Sequence, residues 1–293
     1  MNVLLIGGSS LLGKGLLETK PVECNEVTQT WFTNYVKFPM LHLDITSRSQ
    51  ISYILEKAKP DWVINCAAIG SVDYAHKYPK EVANVNIVGT KNIAIETSRR
   101  DIPFVHVSTN AVYDGNHPPY NELSEREPIN KYGMIKKKAE DILMQDFDNW
   151  IIIRPFMMYG WNYAASRKNW FTIITEKLRQ HQSMKLVNDV FWQPTNNKCV
   201  AKAIWKIIYD KPDLKESYNI AAPDIVTLHQ FGELVQEFWH GYGMPDNTIK
   251  GVPSSYFKDI APRPKNTEFD CSKIKSLGVK ILPLAEGLKS LQS

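Results

Sequence analysis

The feature that most constrains this chain is a rhythm. Short, continuously apolar runs alternate with stretches of helical periodicity through the first half. The runs are "VLLIG" at 3–7, "PDWVINCAA" at 60–68, "PFVHVST" at 103–109 and "NWIIIRP" at 149–155. Each has strand length and little polar alternation, so each needs cover on both faces. Between them lie "SQISYILEKAK", "PKEVANVNIVGTKNIAIETSRR" and "NKYGMIKKKAEDILMQDF", with apolar positions three and four apart. Further strands are expected at "EVTQTWFT" and "MLHLD". Buried strands alternating with helices specify an α/β fold, a doubly wound parallel sheet covered on both faces.

After Pro155 the rhythm changes. "NWFTIITEKLRQ", "NNKCVAKAIWKIIYD" and "TLHQFGELVQEFWHGYG" read as helices, and "MKLVND" and "SYNIAA" as short strands. Thr227 and Gln230 have capping-box spacing at the start of the third of these helices. The proline-rich segment "VPSSYFKDIAPRPKNTEFD" reads as loop before a last short helix at "CSKIKSLG". The expected division is a first domain over 1–155 and a smaller lobe over 156–293, interleaved with the main sheet.

Composition excludes several classes. The net charge is only +4, and the densest basic run, "MIKKKAED", meets acids at once and reads as a solvated helix face rather than a nucleic-acid stripe. No apolar run reaches 18 residues, so no membrane span is expected. Cys24, Cys66, Cys199 and Cys271 are scattered without metal-ligand spacing, which predicts reduced thiols, no metal site and a cytoplasmic setting. Met1 leads straight into a strand, with no basic region of a secretory signal.

The turn after "VLLI" carries the first chemistry. Gly7 and Gly13 hold the outer positions of a GxxGxxG pattern and Ser10 the middle one. A helix N-terminus directly after a strand presents free amides and a positive dipole end to a phosphate, and glycine lets the backbone approach it. A plain glycine turn fits the same letters. After the second strand come Thr33, Asn34 and then Lys37, with no acid to hold a ribose 2′-hydroxyl, which leans toward NADPH with NADH tolerated. Asp44 suits either an adenine amino group or a helix N-cap.

In "YGMIK", Tyr132 and Lys136 are four apart and share a helix face. A phenol is a poor acid–base near neutral pH, and an ammonium beside it favours the phenolate. The same spacing recurs at Tyr53 and Lys57. Tyr53, however, sits on a helix leading into a strand, away from the carboxyl edge where ligands bind, whereas Tyr132 follows a strand and its loop. Thr109, with Ser108 as runner-up, ends the strand "FVHVST" where its hydroxyl can bond a carbonyl oxygen or cap its own backbone.

Together, the glycine loop, "NCAAIGSVD", "NVNIVGTKN", "STNAVYDG", "YGMIK" and "RPFMMYG" resemble the extended short-chain dehydrogenases/reductases, with their Rossmann-like fold. "LVNDVFWQPT" and "APRPKNTEFDCSKI" narrow the resemblance to the dTDP-4-dehydrorhamnose reductase family. That resemblance implies Thr109, Tyr132 and Lys136 as the catalytic set. It implies Gly7, Ser10, Leu11, Leu12 and Gly13 for the pyrophosphate, Asp44 and Ile45 for the adenine, and Ala67, Ala68, Asn34 and Lys136 as further cofactor contacts. Ser71, Val72, Asn110, Met157, Trp192, Arg263 and Asn266 become candidates for a nucleotide-diphosphate sugar.

The departures are Asn110 for an aspartate, Met157 for a tryptophan beside the sugar, and Ser10 for a glycine. The implied reaction is reduction of a keto group on a nucleotide-linked deoxysugar, with a homodimer as the implied assembly. No acidic pair follows Thr109, as a sugar 4,6-dehydratase requires, and "STNAVYDGN" lacks the cysteine of epimerase-reductases. The tail "RPKNTEFDCSKIKSLG" also resembles the regulatory β subunit of methionine adenosyltransferase, whose likeness implies a non-catalytic NADP-binding protein instead.

Overall fold

The computed structural model describes residues 1–34, 39–163, 167–210, 213–240, 248–258 and 261–291. The first half supplies β1 (Asn2–Ile6), β2 (Glu26–Trp31), β3 (Leu41–His42), β4 (Trp62–Asn65), β5 (Phe104–Val107) and β6 (Trp150–Pro155). The second half adds β7 (Met158–Tyr159), β8 (Met184–Val187), β9 (Phe191–Trp192), β10 (Thr195–Asn196), β11 (Glu216–Ile220), β12 (Val226–Thr227) and β13 (Ile249–Val252). Seven of these form one sheet in the order β11-β6-β5-β4-β1-β2-β3. Every pairing within it is parallel. Strand order reverses at β1, and the crevice beyond β1 and β4 is where such sheets hold ligands.

The apolar runs lack polar alternation because successive residues feed two different cores. Leu5, Ile64, Val105 and Ile153 pack on one face with Leu16 and Ile204. Leu4, Val63, Phe104 and Ile152 pack on the other with Ile54 and Ile93. The helices on the first half are α1 (Leu11–Glu18), α2 (Arg48–Ala58), α3 (Val72–Lys77), α4 (Pro79–Ala83), α5 (Thr90–Ser98) and α6 (Lys131–Asp146). Then come α7 (Trp170–Arg179), α8 (Asn197–Asp210), α9 (Leu228–His240), α10 (Ser272–Ser276) and α11 (Leu284–Lys289). Helices α7 and α9 build a third core around Tyr159, Phe171 and Phe231. The capping box at α9 forms in both directions between Thr227 and Gln230.

Two expectations need correction. The long helix over 79–100 is divided, because a π-helical turn, Asn84–Gly89, separates α4 from α5. There the buried Asn86 side chain accepts from the Ile69 amide (2.9 Å) and donates to its carbonyl (3.1 Å), bracing the loop after β4. Such turns favour functional neighbourhoods. The run "MIKKKAED" is no uniform solvated face either. Lys138 is exposed, but Lys136 (1% exposed) and Glu140 (0%), one turn apart, point inward.

Candidate active site

A cleft of about 530 Å³ opens at the carboxyl edge of β1, β4, β5 and β6. Its cofactor end is the β1–α1 turn. Gly7 has φ of 77°, and a Cβ there would stand 2.8 Å from the Ala67 amide nitrogen. A Cβ on Gly13 would stand 2.5 Å from the Gly8 carbonyl oxygen. Both glycines are therefore required by backbone contact, so the turn is more than a flexible connection. Ser10, the residue in the middle position, is the N-cap of α1, its Oγ accepting from the Gly13 amide at 3.0 Å. Its hydroxyl hydrogen stays available to an acceptor. Leu11 and Leu12 open the helix and line the cleft with Ser10, so the first-turn amides face it.

Around this turn, Ala68 and Asn34 line the cleft, and Asn34 is exposed. Lys37 lies outside the described residues. Ala67 stands behind Gly7, its amide donating to Asn65 Oδ1 at 3.1 Å. Asp44 uses Oδ1 to accept from the Thr46 amide (2.9 Å) and hydroxyl (2.8 Å), a local turn into α2, whose N-cap is Ser47. The Ile45 side chain is buried in the core, in the notch that Gly89 leaves. Only its backbone remains for a cofactor, and its carbonyl accepts from Asn92.

The chemical end lies where β5 meets α6. Thr109 caps a 3-10 turn, its Oγ1 accepting from the Ala111 amide at 3.2 Å. Asn130 caps α6 through Gly133 (2.8 Å), and a Cβ at Gly133 would overlap the Ala111 carbonyl oxygen. The glycine inside "YGMIK" thus lets α6 start hard against the β5 loop and brings Tyr132 to Thr109. Burial raises the pKa of the Tyr132 phenol, while the Arg167 charge and a hydrogen bond from Thr109 oppose that shift. Tyr53 is 63% exposed on α2, away from the cleft.

Lys136 is placed differently from the simple spacing picture. Its Nζ donates to the Val107 carbonyl at 2.7 Å and meets His106 Nε2 at 3.1 Å. Burial lowers its pKa to about 8 against the pull of Glu140 and Cys66. The cation acting on the phenol is Arg167. His106, fully buried, is held neutral first by burial and then by Lys136. Beneath them Glu140 takes the guanidinium of Arg154, with contacts of 2.8–3.2 Å, and Arg126 at 2.8 Å.

On the opposite wall, Val72, Asn110, Met157, Trp192 and Arg263 line the cleft. Asn110 donates to Thr267 Oγ1 at 2.8 Å. Arg263 is already engaged, with Asp73 at 2.7 Å and the Ala261 carbonyl at 2.8 Å, so it straps the tail to α3. Ser71 is the N-cap of α3. Asn266 is absent from the lining; its Oδ1 holds the Glu268 amide in a turn, and its neighbour Thr267 faces Asn110. Trp170, passed over in the sequence, pairs with Trp192 (ring centroids 6.4 Å apart) on the same wall as Met157. Arg167, Trp170 and His106 carried no motif of their own, and Gly133 was passed over inside "YGMIK". Among the described residues no group of three potential metal ligands forms, and no helix is long and apolar enough to cross a membrane.

A parallel sheet reversing at β1, a glycine-shaped turn at that reversal and a Thr-Tyr-Lys set on the same edge define an extended short-chain dehydrogenase/reductase. A UDP-glucose 4-epimerase of Thermus thermophilus, solved with NAD, shares the fold at a TM-score of 0.80 and 18% identity, over 100% of this chain and 99% of that one. The profile described as RmlD substrate binding domain matches residues 1–292, and the chain belongs to that family. It is similar to the dTDP-4-dehydrorhamnose reductase of Escherichia coli (strain K12), 25% identical over 97% of this chain and 94% of the relative. It is also similar to methionine adenosyltransferase 2 subunit beta of Xenopus tropicalis, 25% identical over 81% of this chain and 71% of the relative. The fold matches a dTDP-4-dehydrorhamnose reductase of Bacillus anthracis, solved with NADP, at a TM-score of 0.87 and 24% identity, over 99% and 98% of the two chains.

Proposed function

We propose that this protein is an NADPH-dependent reductase acting on the 4-keto group of a nucleotide-linked 6-deoxysugar such as dTDP-4-dehydrorhamnose. The observation that carries the reading is that Tyr132 and Thr109 line one cleft with the first residues of α1, the Thr109 hydroxyl near enough to favour the phenolate of Tyr132. Family membership and likeness to named reductases support it. The turn fits a dinucleotide, because Gly7 and Gly13 leave room only for backbone and the α1 amides face the cleft. Residues 1–155 would hold that cofactor and 156–293 would supply most of the sugar wall.

Bound NADPH supplies the hydride. The chain's own part is to hold the substrate oxygen and to move one proton. Thr109 Oγ1 orients the carbonyl oxygen, and the Tyr132 phenol, kept protonated by its raised pKa, gives its proton as negative charge develops there. Arg167 and the Thr109 hydroxyl stabilise the phenolate left behind. Met157, Trp170 and Trp192 offer an apolar, aromatic face for the sugar ring. Positioned acid catalysis of this type is worth about 10²–10⁴-fold.

A second reading, a non-catalytic NADP-binding regulatory subunit, is favoured by the tail "RPKNTEFDCSKIKSLG" and by likeness to methionine adenosyltransferase 2 subunit beta. The experiment that separates them follows NADPH oxidation with dTDP- and UDP-linked 4-keto-6-deoxysugars. Turnover with one of them establishes the reductase. Tight NADP binding without turnover on any, together with binding to a methionine adenosyltransferase, establishes the regulator.

A further inference from the structure

Lys136 Nζ has three hydrogen-bonding directions in a site with 1% exposure. One is spent on the Val107 carbonyl (2.7 Å) and one on His106 Nε2 (3.1 Å). His106 is buried to the same degree, and its Nδ1 has no hydrogen-bond partner. Its partner across the β4–β5 register is Asn65, whose Nδ2 is likewise a buried donor without a partner.

These contacts tie two choices together. When Nζ is an ammonium, it must donate to Nε2, which places the ring hydrogen on Nδ1 as a buried, unpaired donor. When Nζ is a neutral amine, Nε2–H donates into its lone pair, and Nδ1 becomes an acceptor beside a strand that carries an unpaired donor. A buried donor left unpaired loses its hydrogen bond to water without gaining another, so the ring's tautomer follows the lysine's charge. The other groups facing Nζ are Cys66 at the end of β4 and Glu140 one turn along α6.

We propose that His106 is a positioning residue for Lys136: through Nε2 it fixes the direction of Nζ and couples the lysine's charge to the tautomer of a neutral ring. With two directions fixed by His106 and Val107, the third N–H direction of Nζ is fixed as well, behind the cleft wall rather than in its lining. This rests on the proposed reductase only for its catalytic meaning, since the coupling itself needs no substrate.

The test is a pH titration of the full chain labelled with nitrogen-15 histidine, read by NMR. In the wild type the His106 ring is expected to switch from the Nδ1–H to the Nε2–H tautomer as pH rises through about 8, the range of Lys136, with no imidazolium formed. In Lys136→Met the switch disappears and one tautomer persists. A wild-type ring that keeps one tautomer throughout, or an identical switch in Lys136→Met, overturns the proposal. The wild-type titration stands even if the variant fails to fold. Absence of sugar-nucleotide turnover would count against the reductase and leave this coupling intact.

Discussion

Replacing Glu140 with Gln removes the carboxylate that pairs with a fully buried arginine. The carboxylate is 0% exposed. It accepts from Arg154 Nε at 3.0 and 3.2 Å, from Arg154 Nη2 at 2.8 Å and from Arg126 Nη1 at 2.8 Å. Arg154 is itself 0% exposed and spends Nη1 on the Tyr113 hydroxyl at 3.0 Å. The Glu140→Gln amide would turn an NH₂ group toward a guanidinium and leave that buried cation without its paired carboxylate, with only the more distant Glu122 to offset it. Breaking one side of such a pair costs about 3–5 kcal/mol. At the lower limit of about 2 °C per kcal/mol, suited to a chain this long, Tm falls by roughly 6–10 °C.

Scanning calorimetry and guanidinium titration measure the loss. Removing both charges, Glu140→Leu with Arg154→Met, should recover more than half of it, because Arg126 keeps Asp141 at 2.8 Å and no buried charge is stranded. Burial raises the Glu140 pKa, but Arg154 and Arg126 outweigh it and the net shift is downward. The pair's contribution is therefore present above the ordinary carboxylate range and lost as pH falls through the lowered pKa, and the Glu140→Gln variant should lose that acid dependence. A single variant that melts with the wild type, or a double variant less stable than the single one, would refute the reasoning.

Other outcomes follow from the same geometry. Gly13→Ala places a Cβ 2.5 Å from the Gly8 carbonyl oxygen, so NADPH affinity, measured by fluorescence titration, should fall at least about tenfold, or about 1.4 kcal/mol. Asp73→Asn should release Arg263 into the cleft and lower KM for the sugar nucleotide. The half-exposed pair contributes less than about 1 kcal/mol, so melting should barely change. In the pH profile of kcat/KM, the reductive rate should hold as pH rises through about 8, because Lys136 loses its charge there while Arg167, the cation acting on the phenol, keeps its own and the phenol, its pKa raised, stays protonated. A decline across that range would make Lys136 part of the active ionisation.

The strands were legible because burial on both faces leaves a continuous apolar run, as in Trp150–Pro155, all buried. The glycine turn and Tyr132 were legible because close backbone approach and helical spacing are local properties. Helix α11 was missed: it is six residues long, and its Gly287 is required because the Tyr159 hydroxyl occupies the place of a Cβ, a contact made across the fold. Lys136 was found, but its direction was not, since the His106 and Val107 acceptors lie on another element. Arg167 and Trp170 flank the site without any spacing to mark them. The inward turn of Glu140 was hidden because its neighbours are charged, and only Arg154 on β6 gives it a fully buried partner.

The most direct test of the reductase pairs wild type with Tyr132→Phe, measuring NADPH binding and NADPH oxidation with dTDP-4-dehydrorhamnose. The wild type should oxidise NADPH, and the variant should bind it equally well while turning over at least about 10²-fold more slowly. A wild type that binds NADPH yet reduces neither dTDP- nor UDP-linked 4-keto-6-deoxysugars, or a Phe variant with undiminished turnover, would contradict it.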